Sequence, residues 1–536
     1  MAALRHSKDV VKGILGEVPY MAELYWLLRQ RGQPIKSRFS LKGLQNELPG
    51  IVAQAKKFRQ TAPKGRKIFI FSTLHYWIEH STLLGLTLAG QGHDVTLAYL
   101  PYADWQTPVN KFDLKRQNVY ALKVLKGAES LINVVPFFER CDQYKRIPPE
   151  LQEEIELVTN YDTQYTLGIE EVDTSSEIYQ FRLSRNRAMA CSAMDWMQVN
   201  QPDSVIVPNG TIQELGIAYR VACHLGIPVT TYEFGDQRER IWVGQNQEVM
   251  RQDTKAMWEA RRNDILNDAQ LEQLESMFSS RRQATVWKNF GRQWQGVPTQ
   301  GGAQVRADLG LDDRPVVLLA TNVLGDSLTI GRQNFSASMA EWISRTVQYF
   351  SGKADAQLVI RVHPGEVLTR GLSMADVVRS VLPNLPENIH LIEPREQINT
   401  YDLVEIADVG LVYTTTVGLE MAMLGKPVIV SGNTHYRGRG FTHDPNSWKI
   451  YYKILGRILE DKEAHHLTND QIESAWRYAY YFFFHFARPF PWHLVRMWDD
   501  YKSKPLEKVL NPKGLERYGE TLRYLAGEAM DWELIE

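Results

Sequence analysis

The sequence predicts an α/β protein: two Rossmann-like halves facing across a cleft, with helical extensions at both ends. Three observations carry this expectation. Short apolar runs alternate with helix-length stretches, the pattern of buried parallel strands joined by crossover helices. The rhythm occurs twice, on either side of a linker-like stretch at 296–302 that carries Pro298 and a Gly-Gly pair. The 536 residues suffice for two domains or more.

Residues 1–60 form a helical N-terminal extension. Val10, Val11, Ile14 and Leu15 precede an apolar region at 21–28, and Leu41, Leu44, Leu48, Ile51 and Val52 recur at helical spacing broken by Pro49. This segment reads as a cap on the next domain, or alternatively as a membrane-surface helix. Residues 61–300 form the first Rossmann-like half. The run 67–71 (KIFIF) is a strand after Pro63 and Gly65; the loop 72–77 follows, then a helix ending at Gly90 or Gly92, then a strand at 93–100. That is one strand–helix–strand unit, with its first loop at a strand C-terminus where such sheets hold ligands. The rhythm returns at 203–207, followed by Pro208, Asn209 and Gly210, and at 227–232, followed by Glu233, Phe234, Gly235 and Asp236. Residues 251–298 are polar and helical, with Trp258, Trp287 and Trp294 as packing anchors.

Residues 301–468 form the second half, with strands at 315–320, 357–362, 389–392, 409–413 and 427–430. Residues 469–536 are helical and dense in aromatic residues around 476–486, which predicts a buried segment packing across the two halves; contact with a membrane interface is the alternative.

Composition narrows the function. Lys+Arg total 61 and Asp+Glu 63, a net charge of −2, which argues against a protein devoted to nucleic acid. Cys141, Cys191 and Cys223 lie far apart, so neither a disulfide framework nor a zinc knuckle is expected, and a reducing compartment fits. No export signal and no membrane-spanning apolar run is read, which predicts a cytoplasmic protein with peripheral membrane contact open.

Four elements carry chemistry. The stretch 414–424 places Thr414, Thr415 and Thr416 at a helix start after a strand, where free N–H groups and hydroxyls suit phosphate oxygens and Gly418 allows close approach; simple capping is the alternative. The run RVHPGE at 361–366 puts Arg361 and His363 at another strand end, with Pro364 fixing the turn. The turn 321–327, with Asn322 and Asp326, touches a nucleotide or merely closes a turn. In the loop 432–440, Arg437 or Arg439 neutralises phosphate and Tyr436 stacks on a base, unless the loop is simply solvated.

The signature RVHPGE … TTTVGLEMAMLGKPVIVSGNTHYRGRGFT resembles the capsule polysaccharide biosynthesis family, which includes capsular Kdo transferases, and more distantly bacterial sialyltransferases and polysialyltransferases. The resemblance implies a GT-B glycosyltransferase. It also implies that His363 with Thr415 or Thr416 holds the donor phosphate, that Glu420 lies near the nucleotide ribose or base, and that a CMP-sugar is the favoured donor. The acceptor would be a surface or capsular glycan, with Asn209 and Gly210 on its side. The sialyltransferase-type acidic base motif is absent, so Glu233, Asp236, His75 and Glu79 are candidates for the general base. No cofactor or metal is expected, because no DxD-type motif stands out. The alternatives are a CDP-glycerol or ribitol-type phosphotransferase, a sugar-nucleotide epimerase, and a non-catalytic sugar-nucleotide-binding protein.

Overall fold

The structure is a computed structural model that describes residues 11–29, 39–106, 109–137, 147–288, 290, 296–368 and 371–534; Val10, Cys141 and Trp294 lie outside them. It contains two sheets. The first is built from β1 (Lys67–Thr73), β2 (Asp94–Leu100), β3 (Ile132–Pro136), β4 (Ser204–Pro208), β5 (Val229–Glu233) and β6 (Arg240–Gln245). The second holds β7 (Val316–Ala320), β8 (Gln357–Arg361), β9 (Ile389–Ile392), β10 (Val409–Val412) and β11 (Val428–Val430). A last short strand, β12 (Arg488–Pro489), returns to pair with β6 in the first sheet.

The strand orders are β12-β6-β5-β4-β1-β2-β3 and β11-β10-β7-β8-β9. Pairing is parallel throughout the second sheet and from β3 to β5 in the first; β6 and β12 are antiparallel additions. Each half therefore repeats one doubly wound order, with winding that reverses between β1 and β4 and again between β7 and β10. Ligands bind at such switch points, outside the carboxyl ends of the strands. The strands β4, β7, β8, β10 and β11 are buried along their whole length, as strands covered by helices on both faces must be. In the second sheet, Val317, Leu319 and Leu411 pack toward the helices Met339–Ser351, Met374–Val381 and Trp448–Glu460. Val316, Leu318 and Val412 pack toward the opposite face. The two-residue period separates the faces.

Packing divides the chain differently from the expected boundaries. Met257, Trp258, Leu274, Met277 and Phe278, on the helices Lys255–Arg261 and Asp268–Arg282, share a core with Val316, Leu318 and Val412 of the second sheet. Chain ownership thus changes well before the stretch 296–302. The segment 469–536 also splits. Tyr478 to Phe484 pack on the second half, whereas Phe490, Trp492, Leu506 and Leu522 join the core of the first sheet. At the N-terminus, Pro49 does not break the helix Lys42–Arg59, because Leu44, Leu48, Ile51 and Val52 form one buried stripe on both sides of it. The preceding helix Met21–Arg29 buries Ala22 and Trp26 but leaves Leu24, Leu27 and Leu28 exposed. No helix among the described residues is long and apolar enough to cross a membrane.

Candidate active site

A cavity of about 510 Å³ lies between the halves. Gly235, Asp236 and Arg240 line it from the first half, and Asn322, Arg361, His363 and Thr414 to Thr416 from the second. Phe482 and Phe483 close it from the C-terminal segment. Its volume falls in the range of small-ligand sites.

His363 stands just past β8. Its backbone N–H donates to Thr321 Oγ1 at 3.0 Å, and its Nδ1 accepts the N–H of Gly365 at 2.9 Å. With Nδ1 occupied as an acceptor, the neutral ring carries its proton on Nε2, which makes Nε2 the donor. A Cβ at Gly365 would fall 2.9 Å from His363 Nδ1, so this arrangement needs a glycine there.

The threonine loop is tied in from three directions. Thr414 N–H donates to Asn322 Oδ1 at 3.1 Å, which links the loops after β10 and β7 directly across the switch point. Tyr436 Oη donates to the Thr415 carbonyl at 2.6 Å, and Thr434 Oγ1 to the Thr414 carbonyl at 3.2 Å. Thr414 Oγ1 is buried without a protein partner. The helix that follows, Val417–Met423, has only seven residues, and Thr416 does not cap it through its side chain.

Several expected roles are corrected here. Gly418 does not open a path for a ligand: a Cβ there would lie 2.5 Å from Tyr436 Oη and 2.8 Å from Val412 Cγ2, so the glycine makes room for Tyr436. Tyr436 is wholly buried and offers no face to a base. Arg437 spends its guanidinium on the carbonyls of Val430 (2.6 Å) and Pro445 (2.5 Å), bracing its own loop. Glu420 pairs with Arg281 at 2.7 Å, both side chains almost fully buried, and so fastens the helix Asp268–Arg282 to Val417–Met423 rather than meeting a nucleotide. Asp326 does line the cavity, while its Oδ1 accepts the Leu328 N–H at 2.9 Å and closes the turn.

On the first half, Glu233 ends β5 two residues before the cavity-lining Gly235 and does not itself line the cavity. Asn209 Nδ2 donates to Glu233 Oε2 at 3.0 Å, and the Phe234 N–H donates to Oε1 at 2.9 Å. Burial raises the Glu233 carboxyl above its ordinary range, against the pull of those two donors. Asn209 is therefore a positioning residue for Glu233, and Gly210, with φ of +78° and Thr231 packed where a Cβ would go, shapes the turn beneath; neither lines the cavity. Asp236 does line it. His75 opens the helix His75–Gly90 rather than standing in a loop; its Nδ1 is buried with no partner, it lies outside the cavity wall, and burial lowers its pKa. Glu79 is structural: its carboxylate accepts the Leu44 N–H at 2.9 Å and Trp498 Nε1–H at 3.0 Å, stapling both chain ends to the first half.

Sequence reasoning missed Arg332 and His435, which also line the cavity. Both stand in irregular loops where no periodicity marks the direction of a side chain. Arg332 and Arg361 are buried guanidiniums that, among the described residues, hydrogen-bond to carbonyls only, Arg361 to Glu393 at 2.8 Å and Arg332 to Asn433 at 2.9 Å and to Met250. Burial pushes both down to about 10, and Arg251 adds to the shift at Arg332. Buried cations without carboxylate partners favour an anionic ligand. Among the described residues, no group of three or more His, Cys, Asp or Glu side chains is arranged to hold a metal.

The strand-end loops that build the phosphate-type wall of this cavity all lie in one stretch of sequence. Residues 289–467 match the family of capsule polysaccharide biosynthesis proteins. The resemblance carried by the RVHPGE and TTTVGLEMA segments thus holds for the stretch that forms the second half. Among solved structures, the chain is similar to the KpsC beta Kdo 2,4 transferase of Thermosulfurimonas dismutans, at 18% identity and a TM-score of 0.34, covering 51% of this chain and 78% of that one. It is also similar to the KpsC beta Kdo 2,7 transferase of the same organism, at 15% identity and a TM-score of 0.31, covering 53% and 79%. A third likeness is to the UDP-GlcNAc 2-epimerase of Neisseria meningitidis, at 14% identity and a TM-score of 0.26, covering 77% and 97%. No curated protein matches the chain.

Proposed function

We propose that this chain is a GT-B glycosyltransferase of capsule polysaccharide biosynthesis that moves a sugar from a nucleotide-activated donor, a CMP-sugar favoured, to a glycan acceptor. One observation carries the reading: the His363 imidazole, the hydroxyl-bearing threonine loop and the buried Arg361 guanidinium converge on one cavity at the switch point of the second sheet. The donor phosphate sits against His363 Nε2–H, the Thr414 to Thr416 loop and Arg361. As the bond from the anomeric carbon to the phosphate oxygen breaks, negative charge grows on the leaving phosphate, and these fixed donors stabilise it most at that moment. Asp236, on the cavity wall, or Glu233, two residues before that wall's Gly235 and with its proton affinity raised by burial, accepts the acceptor hydroxyl's proton. Arg361 and the fixed hydrogen-bond donors supply the stabilisation that a metal would otherwise supply, so full activity is expected in excess EDTA.

The test is a thermal-shift comparison of CMP, CDP, UDP and GDP, followed by turnover with CMP-sugars and with CDP-glycerol. A CMP-selective shift, with turnover cut about 10²- to 10³-fold in His363→Ala, is expected. Nucleotide release from CDP-glycerol alone would give the phosphotransferase reading instead. Donor turnover that needs no acceptor and involves no hydrolysis would give the epimerase.

Peripheral membrane contact belongs to the same proposal. Leu24, Leu27 and Leu28 are exposed on one helix, and residues 1–42 hold eight Lys or Arg against three Asp or Glu. Binding to anionic but not zwitterionic vesicles is expected.

A further inference from the structure

The cavity has a second cationic end. Arg361 bonds to the carbonyl of Glu393 just past β9, whereas Arg332 bonds to that of Asn433 just past β11. In the order β11-β10-β7-β8-β9, these anchor points fall at opposite edges of the sheet, with the His363 and threonine loops between them.

Arg332 is 6% exposed, and its Nε is buried with no partner. The nearby acid, Glu248, is engaged by Arg251 at 2.8 Å and by Arg220, so it does not neutralise Arg332 by direct pairing. Beside it stands His435, also 6% exposed. Its ring lies 3.8 Å from Phe482 with the planes 7° apart, and Nδ1 is 2.8 Å from Tyr478 Oη. The stacking fixes the ring, and Nε2 is left buried without a partner at the cavity wall. Two polar atoms, each on a side chain more than nine-tenths buried, thus lack partners at one cation-bearing end of the cavity. Tyr478 Oη donates to the His435 carbonyl at 2.8 Å and so accepts from Nδ1–H, which leaves Nε2 an acceptor; Arg332 Nε–H is the buried donor whose unmade bond a ligand recovers.

We propose that Arg332, with the fixed His435 ring beside it, forms a second anion subsite, separate from the His363 and threonine subsite, so that the cavity takes a ligand bearing two anionic groups. Arg332 also contacts both halves, through Met250 and Asn433, so an anion there rests against the seam between them. This inference rests on the nucleotide-donor reading only for the identity of the first subsite.

The experiment uses the full chain, the most stabilising nucleotide of the panel, and inorganic phosphate as the probe of the second subsite. Phosphate is titrated onto the nucleotide-saturated protein and binding is read by melting temperature and calorimetry. Expected in the unaltered chain is a further phosphate-dependent stabilisation on top of the nucleotide. Arg332→Gln should weaken that phosphate step about tenfold while leaving nucleotide binding within about threefold, and Arg332→Lys should restore it. His363→Ala should do the reverse. Phosphate that adds nothing to the nucleotide-saturated chain, or that binds equally in Arg332→Gln, overturns the second subsite and leaves the donor reading intact. If no nucleotide binds, the donor reading falls. Phosphate titrated onto the free chain then decides the subsite alone: loss in Arg332→Gln supports it, and loss only in His363→Ala overturns it.

Discussion

Gly365→Ala isolates the orientation of one imidazole from the stability of the fold. Gly365 is not among the residues with positive φ, so alanine meets no backbone strain there. Its Cβ would instead fall 2.9 Å from His363 Nδ1, 3.0 Å from Cε1 and 3.5 Å from Val323 Cγ2. Ordinary contact begins near 3.4 Å, so the ring must retreat by about half an ångström and turn, losing the Gly365 N–H bond that fixes its tautomer. The ring is a side-chain end facing a cavity, so it moves at little cost to folding. A displacement of this order in a reacting site costs about 10- to 100-fold, or roughly 1.4–2.7 kcal/mol in the barrier. Global stability should change by less than about 1 kcal/mol, because Gly→Ala at an allowed φ lowers unfolded-state entropy and offsets part of the contact. The assay is kcat for nucleotide release from the donor found in the panel, alongside urea melts. A variant with unaltered kcat would refute the assigned role of His363, and a loss of kcat matched by unfolding would refute the claim that orientation is the cause.

Three further changes probe other parts of the site. Glu233→Gln should cut turnover about 10²- to 10⁴-fold. The folded carboxyl has its proton affinity raised by burial, so it favours the fold at acid pH and costs stability as pH rises through its folded value. Glu233→Gln should therefore raise the melting temperature at pH 8 and lose that advantage near pH 4; an unchanged rate, or a gain confined to acid pH, counts against the base. Arg281→Ala leaves Glu420 buried and unpaired and should cost about 3–5 kcal/mol in denaturant melts, most of it recovered in Arg281→Met/Glu420→Leu. Tyr436→Phe removes the bond to the Thr415 carbonyl and should cost about 1 kcal/mol together with donor affinity; intact affinity by calorimetry would show that the threonine loop holds its shape unaided.

Much of this architecture was legible in the sequence, for physical reasons. The strands β7, β8, β10 and β11 are buried on both faces and read as unbroken apolar runs. Their polar ends mark the loops that meet at the cavity. The strand β3 is half-exposed at the sheet edge, β6 is an antiparallel addition, and β12 has only two residues, so none carries a clear pattern. Side-chain direction was the harder quantity. Tyr436, Arg437 and Glu420 sit in the right segments, but tertiary packing turns Tyr436 beneath the threonine loop and commits the other two elsewhere. Asn209 was placed against an acceptor when its amide in fact holds Glu233. Arg332 and His435 were invisible because what singles them out is the absence of partners, and partners exist only in three dimensions.

The return of the chain end to the first sheet sets an order of events during synthesis. The second half has its sheet, its flanking helices and the aromatic residues 478–486 in hand once residue 486 has emerged, with Trp532 alone returning to stack on Phe486. The first half, though begun earlier, waits for β12 to cover the β6 edge and for the helix Pro512–Leu525 to seal its core. A nascent chain thus carries an open strand edge at β6 until β12 and that helix have emerged, and truncation after residue 486 should yield aggregates rather than a smaller folded protein.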